Sequence, residues 1–484
     1  MMKKIIYFIL TLSVTVVAQQ GNNQSVELPE FIITGTEQIK LPVLKKKRPK
    51  LITSLSEEFF LPTYTAEQVS LVNFDNPLKN RIERNEHPQT YDGKLIIASG
   101  LYTLPYGNFT FDKNIKHALL HLNVFGLNEL NYLPNSGYNV SGAEGGLTFF
   151  LSKNSKFLPG LKISTNVKAY RDSYHLFAVN GSPERKTKGG KAEVEFAYKI
   201  KQEINFNFGL SANLLSSDEL DFILKKYRMF GNSEFSLSNM GINVSGEFIR
   251  LHSSGISLSS ADKDYLNATA TLKLKTSKSF ITKFGSLVTV FGSKVFISPL
   301  AVFQIKIDEN IFMFGEFNPY TEFITSENHL NNNRYLDLSS GRYNYVEHSS
   351  YIKLAFKYEH NKMFETGAGL TIETIKDLPY FEDRSLNGKF EVFTIPKARR
   401  ISAFIDLLFH TNYWGQFYSQ FIFNDTRNES YDVVPYQPII ELHGSYSYTF
   451  RFGLQTKLNA AYYSQIYTDF VNLNKLNDYL NLSL

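Results

Sequence analysis

KAEVEFAYKI, residues 191–200, and INFNFGLSANL, residues 204–214, are the stretches whose reading decides the fold. In the first, Ala192, Val194, Phe196, Tyr198 and Ile200 fall on one side of a two-residue repeat. Lys191, Glu193, Glu195 and Lys199, with Ala197, fall on the other. A turn near Lys201 and Gln202 leads into the second, where Ile204, Phe206, Phe208, Leu210, Ala212 and Leu214 alternate with Asn205, Asn207, Gly209, Ser211 and Asn213. Successive side chains of a strand point to opposite faces, whereas a helix would spread this pattern around its circumference. The two stretches predict adjacent strands, each with one apolar and one polar face.

The pattern recurs from about residue 94 to the end. Ile352, Leu354, Phe356 and Tyr358 alternate with Lys353, Ala355, Lys357 and Glu359. Leu266, Ala268, Ala270, Leu272 and Leu274 alternate with Asn267, Thr269, Thr271, Lys273 and Lys275. Leu454, Leu458 and Tyr462 alternate with Gln455, Lys457, Asn459 and Ala461. Many of these strands run about 10–13 residues, longer than the soluble mean and suited to a tilted membrane strand. The connections come in two lengths. Short turns fall near 201–202, 276–280, 308–310, 360–361 and 411–413, and long polar segments at 172–188, 215–231, 319–347, 374–398 and 425–438. Outer-membrane barrels place short turns on the periplasmic side and long loops outside. A soluble multi-domain β-sandwich explains the alternation equally well, but neither the two loop lengths nor so many long strands without linkers.

Residues 1–18 read as a cleavable secretory signal peptide. Lys3 and Lys4 precede an apolar run over residues 5–17, and Ala18 supplies the small residue at the cleavage point. That run falls short of the roughly 20 residues that span a bilayer as a helix. Every later apolar stretch is soon broken by Lys, Asn, Ser or Glu. A membrane-resident mature chain must therefore cross as a closed barrel, the other structure that satisfies its backbone polar groups in lipid. The expected fold is all-β: a large antiparallel transmembrane β-barrel of roughly 18–20 strands, within about 16–22. It occupies residues 94–484, after a periplasmic segment or linker over residues 19–93, in the outer membrane of a Gram-negative-type envelope.

Composition agrees. Lys+Arg 51 against Asp+Glu 46 is too even a balance for a nucleic-acid partner. The absence of cysteine excludes disulfides, zinc ribbons and thiol catalysis. The aromatic load, 41 Phe and 29 Tyr beside one Trp, suits rings that face lipid and line the membrane interfaces. In residues 19–93 the alternation is absent, and the basic run Lys45-Lys46-Lys47-Arg48-Pro49-Lys50 reads as part of a solvated linker.

Two stretches resemble the TonB-dependent receptor family. Phe31-Ile32-Ile33-Thr34-Gly35-Thr36, after Leu28-Pro29-Glu30, looks like a TonB box or the start of the first plug strand. Val434-Pro435-Tyr436-Gln437-Pro438, the hairpin up to Tyr463 and the closing Asp478-Tyr479-Leu480-Asn481-Leu482-Ser483-Leu484 are similar to the last part of the family's barrel. The resemblance implies solute transport across the outer membrane. Its implied partners are outer-membrane lipid, the barrel-assembly machinery, TonB and a solute it does not specify. Two departures accompany it. Fewer than 60 residues separate Thr36 from the first barrel-like strand near Lys94, too few for a complete plug of the family's size. The last strand also lacks the terminal aromatic residue that assists assembly, so the chain is read as incomplete at its C-terminus.

The sequence offers no catalytic constellation and no cofactor or metal site. His117 and His121, four apart, lie in an extended stretch where that spacing covers about 13 Å, too far to share a metal. No Gly-x-Ser-x-Gly elbow, His-Glu-x-x-His or P-loop occurs. Gly142-Ala143-Glu144-Gly145-Gly146 opens a strand and reads as a bend. The polar strand residues Lys191, Glu193, Glu195, Lys273, Lys275, Lys353, Lys357, Glu359 and Lys457 are expected to face the lumen and tune a solute path. Beside the transport reading stands a barrel that does not transport, acting as adhesin, scaffold or assembly partner through its long loops.

Overall fold

The computed structural model describes residues 92–483, with short breaks such as 101–102, 153–154, 201–203, 341–342 and 412–414. The expected signal peptide and nearly all of the N-terminal segment, Phe31 to Thr36 included, lie outside the described residues.

Twenty-one strands form a single antiparallel sheet. They begin with β1 (Lys94–Ala98), β2 (Thr103–Ile115), β3 (Ala118–Glu129), β4 (Tyr138–Phe150), β5 (Lys162–His175), β6 (Glu184–Ile200) and β7 (Ile204–Ser217). There follow β8 (Phe222–Leu237), β9 (Met240–Gly255), β10 (Leu258–Ser277), β11 (Phe280–Phe291), β12 (Lys294–Asp308), β13 (Ile311–Phe317) and β14 (Tyr320–Thr325). The last are β15 (Tyr343–His360), β16 (Phe364–Glu382), β17 (Glu391–Thr411), β18 (Gly415–Asn428), β19 (Ile440–Thr449), β20 (Gln455–Ser464) and β21 (Tyr479–Ser483). Each strand pairs with its neighbour in sequence, with one exception. β13 and β14 both pair with β15, at Phe317↔Ile352 and Tyr320↔His348, so they are two halves of one strand with a one-residue shift between them. The interruption is Asn318-Pro319, where proline removes a ladder donor. The sheet thus makes twenty passages, within the expected range.

Exposure follows the alternation read from the sequence. On β15, Ile352, Leu354 and Phe356 are exposed while Lys353, Ala355 and Lys357 are buried. On β7, Phe208, Leu210 and Leu214 are exposed while Gly209, Ser211 and Leu215 are covered. Open apolar rows continue through Ile242, Val244, Leu266, Val288, Ile405 and Leu407. So much contiguous exposed apolar surface suits lipid rather than water. The covered face is tightly packed in places. Gly209 stands opposite Phe230 and Gly369 opposite Phe404, and in each pair the aromatic ring occupies the space that a Cβ on the glycine would need.

Short connections fall near the expected positions at 278–279, 309–310 and 361–363, and a further one falls at 238–239. The long segments differ. Residues 172–188, 215–231 and 374–398 belong largely to strands, leaving connections at 176–183, 218–221 and 383–390, whereas 425–438 is mostly the connection 429–439. A membrane strand needs about 9–11 residues. β10 and β17, with 20 and 21 residues, continue well past that length as polar ladder. Polar composition therefore reads as loop although the backbone keeps pairing.

The curl of the sheet shows in contacts between strands far apart in order. The Lys389 Nζ, just before β17, lies 2.7 Å from an Oε of Glu219 in the β7–β8 connection. Leu336 and Leu338 pack with Leu215, Phe222, Leu224 and Leu251 of β7–β9 on one side and approach Phe381 and Val392 of β16 and β17 on the other. Strands β8 and β17 are thus bridged across the interior of a barrel.

Candidate functional site inside the barrel

The bridging residues come from residues 318–340. After Pro319 the strand leaves β12 and leans inward. β14 pairs with β15 alone, and the Tyr265 hydroxyl on β10 lies 3.0 Å from the Thr321 hydroxyl, itself 2.9 Å from that of Thr289 on β11. Tyr320 stacks on His348 with ring centroids 4.0 Å apart. His348 in turn lies 2.7 Å from Glu373, which accepts from Arg400 at 2.9 Å. Both sides of the hairpin are thereby fastened to wall strands.

The single α-helix among the described strand connections, α1 (Ser326–Asn332), follows at once. The backbone N–H of Thr325 donates to Asn328 Oδ1 at 3.0 Å, closing the first turn. Glu327 accepts from Lys226 of β8 at 2.7 Å. His329, 2% exposed, sits 2.7 Å from Asn344 and edge-on to Phe381. Burial depresses its affinity for a proton, so the ring is held neutral and its Nε2–H donates to the Asn344 carbonyl oxygen.

Beyond α1 the chain turns at 334–335 and again at 338–339, and between the turns Leu336 forms a parallel bridge with Phe390. Arg185 of β6 clasps this run. Its Nη1 donates to the Arg334 carbonyl and its Nη2 to the Leu336 carbonyl, each at 2.9 Å, while its Nε donates to Glu219. Arg185 is 1% exposed, so this ion pair lies out of water and its fork is fully engaged. The Tyr174 hydroxyl also donates to the Arg334 carbonyl, at 2.8 Å. The Arg334 guanidinium lies over the Tyr138 and Tyr174 rings, 4.7 and 5.8 Å from their centroids. A cavity of about 410 Å³ opens between this segment and β4–β6.

The residues singled out in the sequence lie elsewhere. Lys191 and Glu193 pair at 2.8 Å, and Glu195 accepts from Asn207 at 2.8 Å. Lys353 and Lys357 are 6% and 8% exposed, and Lys357 lies 3.1 Å from Glu365 and 4.0 Å from Glu359. Lys273 is half-buried, whereas Lys275 and Lys457 are exposed. None of them joins the Arg185 cluster. His121 pairs with Asp112 at 2.6 Å, and no group of His, Cys, Asp and Glu able to hold a metal occurs among the described residues. The segment itself escaped the sequence reading because Arg185 and Leu336 are 151 positions apart. The signals that could have found it are local: the Asn318-Pro319 break, and the leucines Leu330, Leu336 and Leu338 in a largely polar connection.

A twenty-passage antiparallel sheet with an apolar outer surface defines the fold class, a large transmembrane β-barrel. Solved structures share this fold. A variant of the ferric enterobactin receptor of Pseudomonas aeruginosa is similar with a TM-score of 0.61 at 10% identity, covering 80% of this chain and 70% of its own. The FrpB iron transporter of Neisseria meningitidis gives 0.62 at 8% identity, covering 78% and 71%. The siderophore receptor PiuA of Acinetobacter baumannii gives 0.59 at 9% identity, covering 81% and 74%. These are named as receptors and a transporter, not as enzymes. No protein-family description and no curated protein matches the chain.

Proposed function

We propose that this chain is an outer-membrane barrel that carries a solute across the membrane, and that residues 318–340 obstruct its path until they shift. The observation that carries the reading is the inward-leaning β14–α1 segment, which packs against opposite walls through Leu336, Leu338 and the Arg185 clasp. A barrel serving only as scaffold has no need to fill its own interior with a segment held by polar contacts. In this reading the covered strand faces are the lumen. Lys191, Glu193, Glu195, Lys273, Lys275, Lys353, Lys357, Glu359 and Lys457 then belong to its lining, where ionic side chains of both signs keep the path wet. The signal peptide delivers the chain to the outer membrane, and the TonB-box-like Phe31 to Thr36 offers the contact through which TonB would do work. The ligands named for the similar structures, siderophores and iron, are one candidate solute class.

Proteoliposomes test the proposal by swelling in isotonic glycine. Slow swelling with the intact chain, accelerated when residues 327–340 are replaced by a short Gly-Ser linker, is expected. No swelling from either protein, both folded, would favour the envelope scaffold instead.

A further inference from the structure

The cavity between β4–β6 and the inserted segment has a chemistry of its own. We infer that it binds a neutral, hydroxyl-rich ligand of about disaccharide size. The inference rests on the transport reading for its biological sense, because it names the class of solute that the obstructing segment would meet.

Three observations converge. The first is the lining. Tyr138, Tyr170 and Asp172 contribute from the wall, and Asn331, Asn333 and Arg334 from the segment. Small-molecule sites of about 300–1,000 Å³ are usually mostly apolar with a few polar groups. Here polar groups dominate a cavity of about 410 Å³, so an occupant must carry hydrogen-bonding groups on many sides. The second is Asp172, whose Oδ1 is buried without a hydrogen-bond partner. An acceptor in that position calls for a donor from the ligand, because an unmatched buried polar atom is costly. The third is charge. Asp172 and Glu327 are both acidic, Glu327 is already matched by Lys226, and Arg334 supplies the lining's one cation. A polyanion would meet the two carboxylates, and an amine would meet Arg334. A polyol meets neither penalty. Its O–H groups can donate to Asp172 and accept from Arg334 and the Asn amides, while its C–H faces rest on tyrosine rings. Because wall and segment each supply half of the lining, an occupant would also bridge the two.

Saturation-transfer NMR on the full chain in detergent tests this with maltose, trehalose, sucrose, lactose and cellobiose, and with 2,3-dihydroxybenzoate and spermidine as the anionic and cationic probes. At least one disaccharide is expected to receive transfer, with binding weakened about tenfold or more in Asp172→Ala, the loss expected for a hydrogen bond to a charged group. Glu309→Ala, exposed in the β12–β13 turn and outside the cavity lining, is expected to bind as the parent does. Transfer to no disaccharide, preference for the anion or the amine, or equal binding by parent and Asp172→Ala would each overturn the inference. Swelling of proteoliposomes made from the same protein separates the two proposals: a conducting barrel blind to sugars loses only this inference, and a barrel that stays sealed even with residues 327–340 replaced by the Gly-Ser linker loses the transport reading.

Discussion

Arg185 on β6 donates from Nη2 to the backbone carbonyl of Leu336, across the barrel interior and 151 positions along the chain, at 2.9 Å. Both residues are essentially excluded from water, at 1% and 0% exposure. This bond, with those to Arg334 and Glu219, makes Arg185 the fastener between the wall and the segment that fills the interior.

Removing that fastener has a directional consequence. Arg185→Ala leaves Glu219 with Lys389 as its remaining cation, takes the Arg185 donor from the buried Leu336 carbonyl and leaves the Arg334 carbonyl with the Tyr174 hydroxyl. Breaking one side of a buried ion pair typically costs ~3–5 kcal/mol. The barrel strands keep their own ladders, so the loss falls on segment docking. Hydrogen exchange should show faster exchange at residues 327–340 with strands β15–β17 still protected. Unchanged protection at 327–340 contradicts the assigned role.

Leu336→Ala probes the apolar side of the same contact. Truncating a buried leucine commonly costs ~2–5 kcal/mol. Limited proteolysis should cut the variant within residues 327–340 at protease levels that leave the parent intact. Equal resistance would mean that the leucine cluster does not hold the segment.

Acid should loosen the segment through His329, which lies in α1 between strands. Its folded-state affinity for a proton is depressed below the ordinary value of 6.5 by burial. The unfolded or undocked ring therefore binds more protons than the docked one as pH falls below 6.5, and docking loses stability there. Above 6.5 both forms are neutral and the contribution is intact. The expectation is easier opening between pH 7 and pH 5, measured as swelling rate, with a flatter profile in His329→Gln. A parent profile as flat as the variant's would sink the idea.

The glycine–aromatic pairs of the covered face make a packing prediction. Gly369→Val places methyl groups where the Phe404 ring sits, and overpacking of this kind costs ~1–3 kcal/mol. Its unfolding midpoint in urea, read by heat-modifiable migration, should fall. Gly107, with open space around its Cβ position, should tolerate alanine with little change.

Much of the fold was legible because a barrel strand writes its two environments into alternate residues. Phe208, Leu210 and Leu214 against Gly209, Ser211 and Asn213 could be read without a partner strand in view. The strand ends at 215–231 and 374–398 were not legible, since above the membrane a paired strand needs no apolar face and its polar residues look like loop. Nor was the candidate site. Tyr174, Arg185, Glu219 and Lys389 sit in such polar ends, and only tertiary pairing gives them their partners. The local hints were the Asn318-Pro319 break and the leucines, Leu336 and Leu338 among them, inside a largely polar connection.

Single-channel recording in planar bilayers bears most directly on the central claim, that this transmembrane barrel encloses an aqueous path blocked by residues 318–340. The parent should insert and give small or infrequent current steps, and the variant with residues 327–340 replaced by a Gly-Ser linker should give large, long-lived ones. Equal and negligible conductance from both proteins, each shown to be folded and inserted, would contradict it.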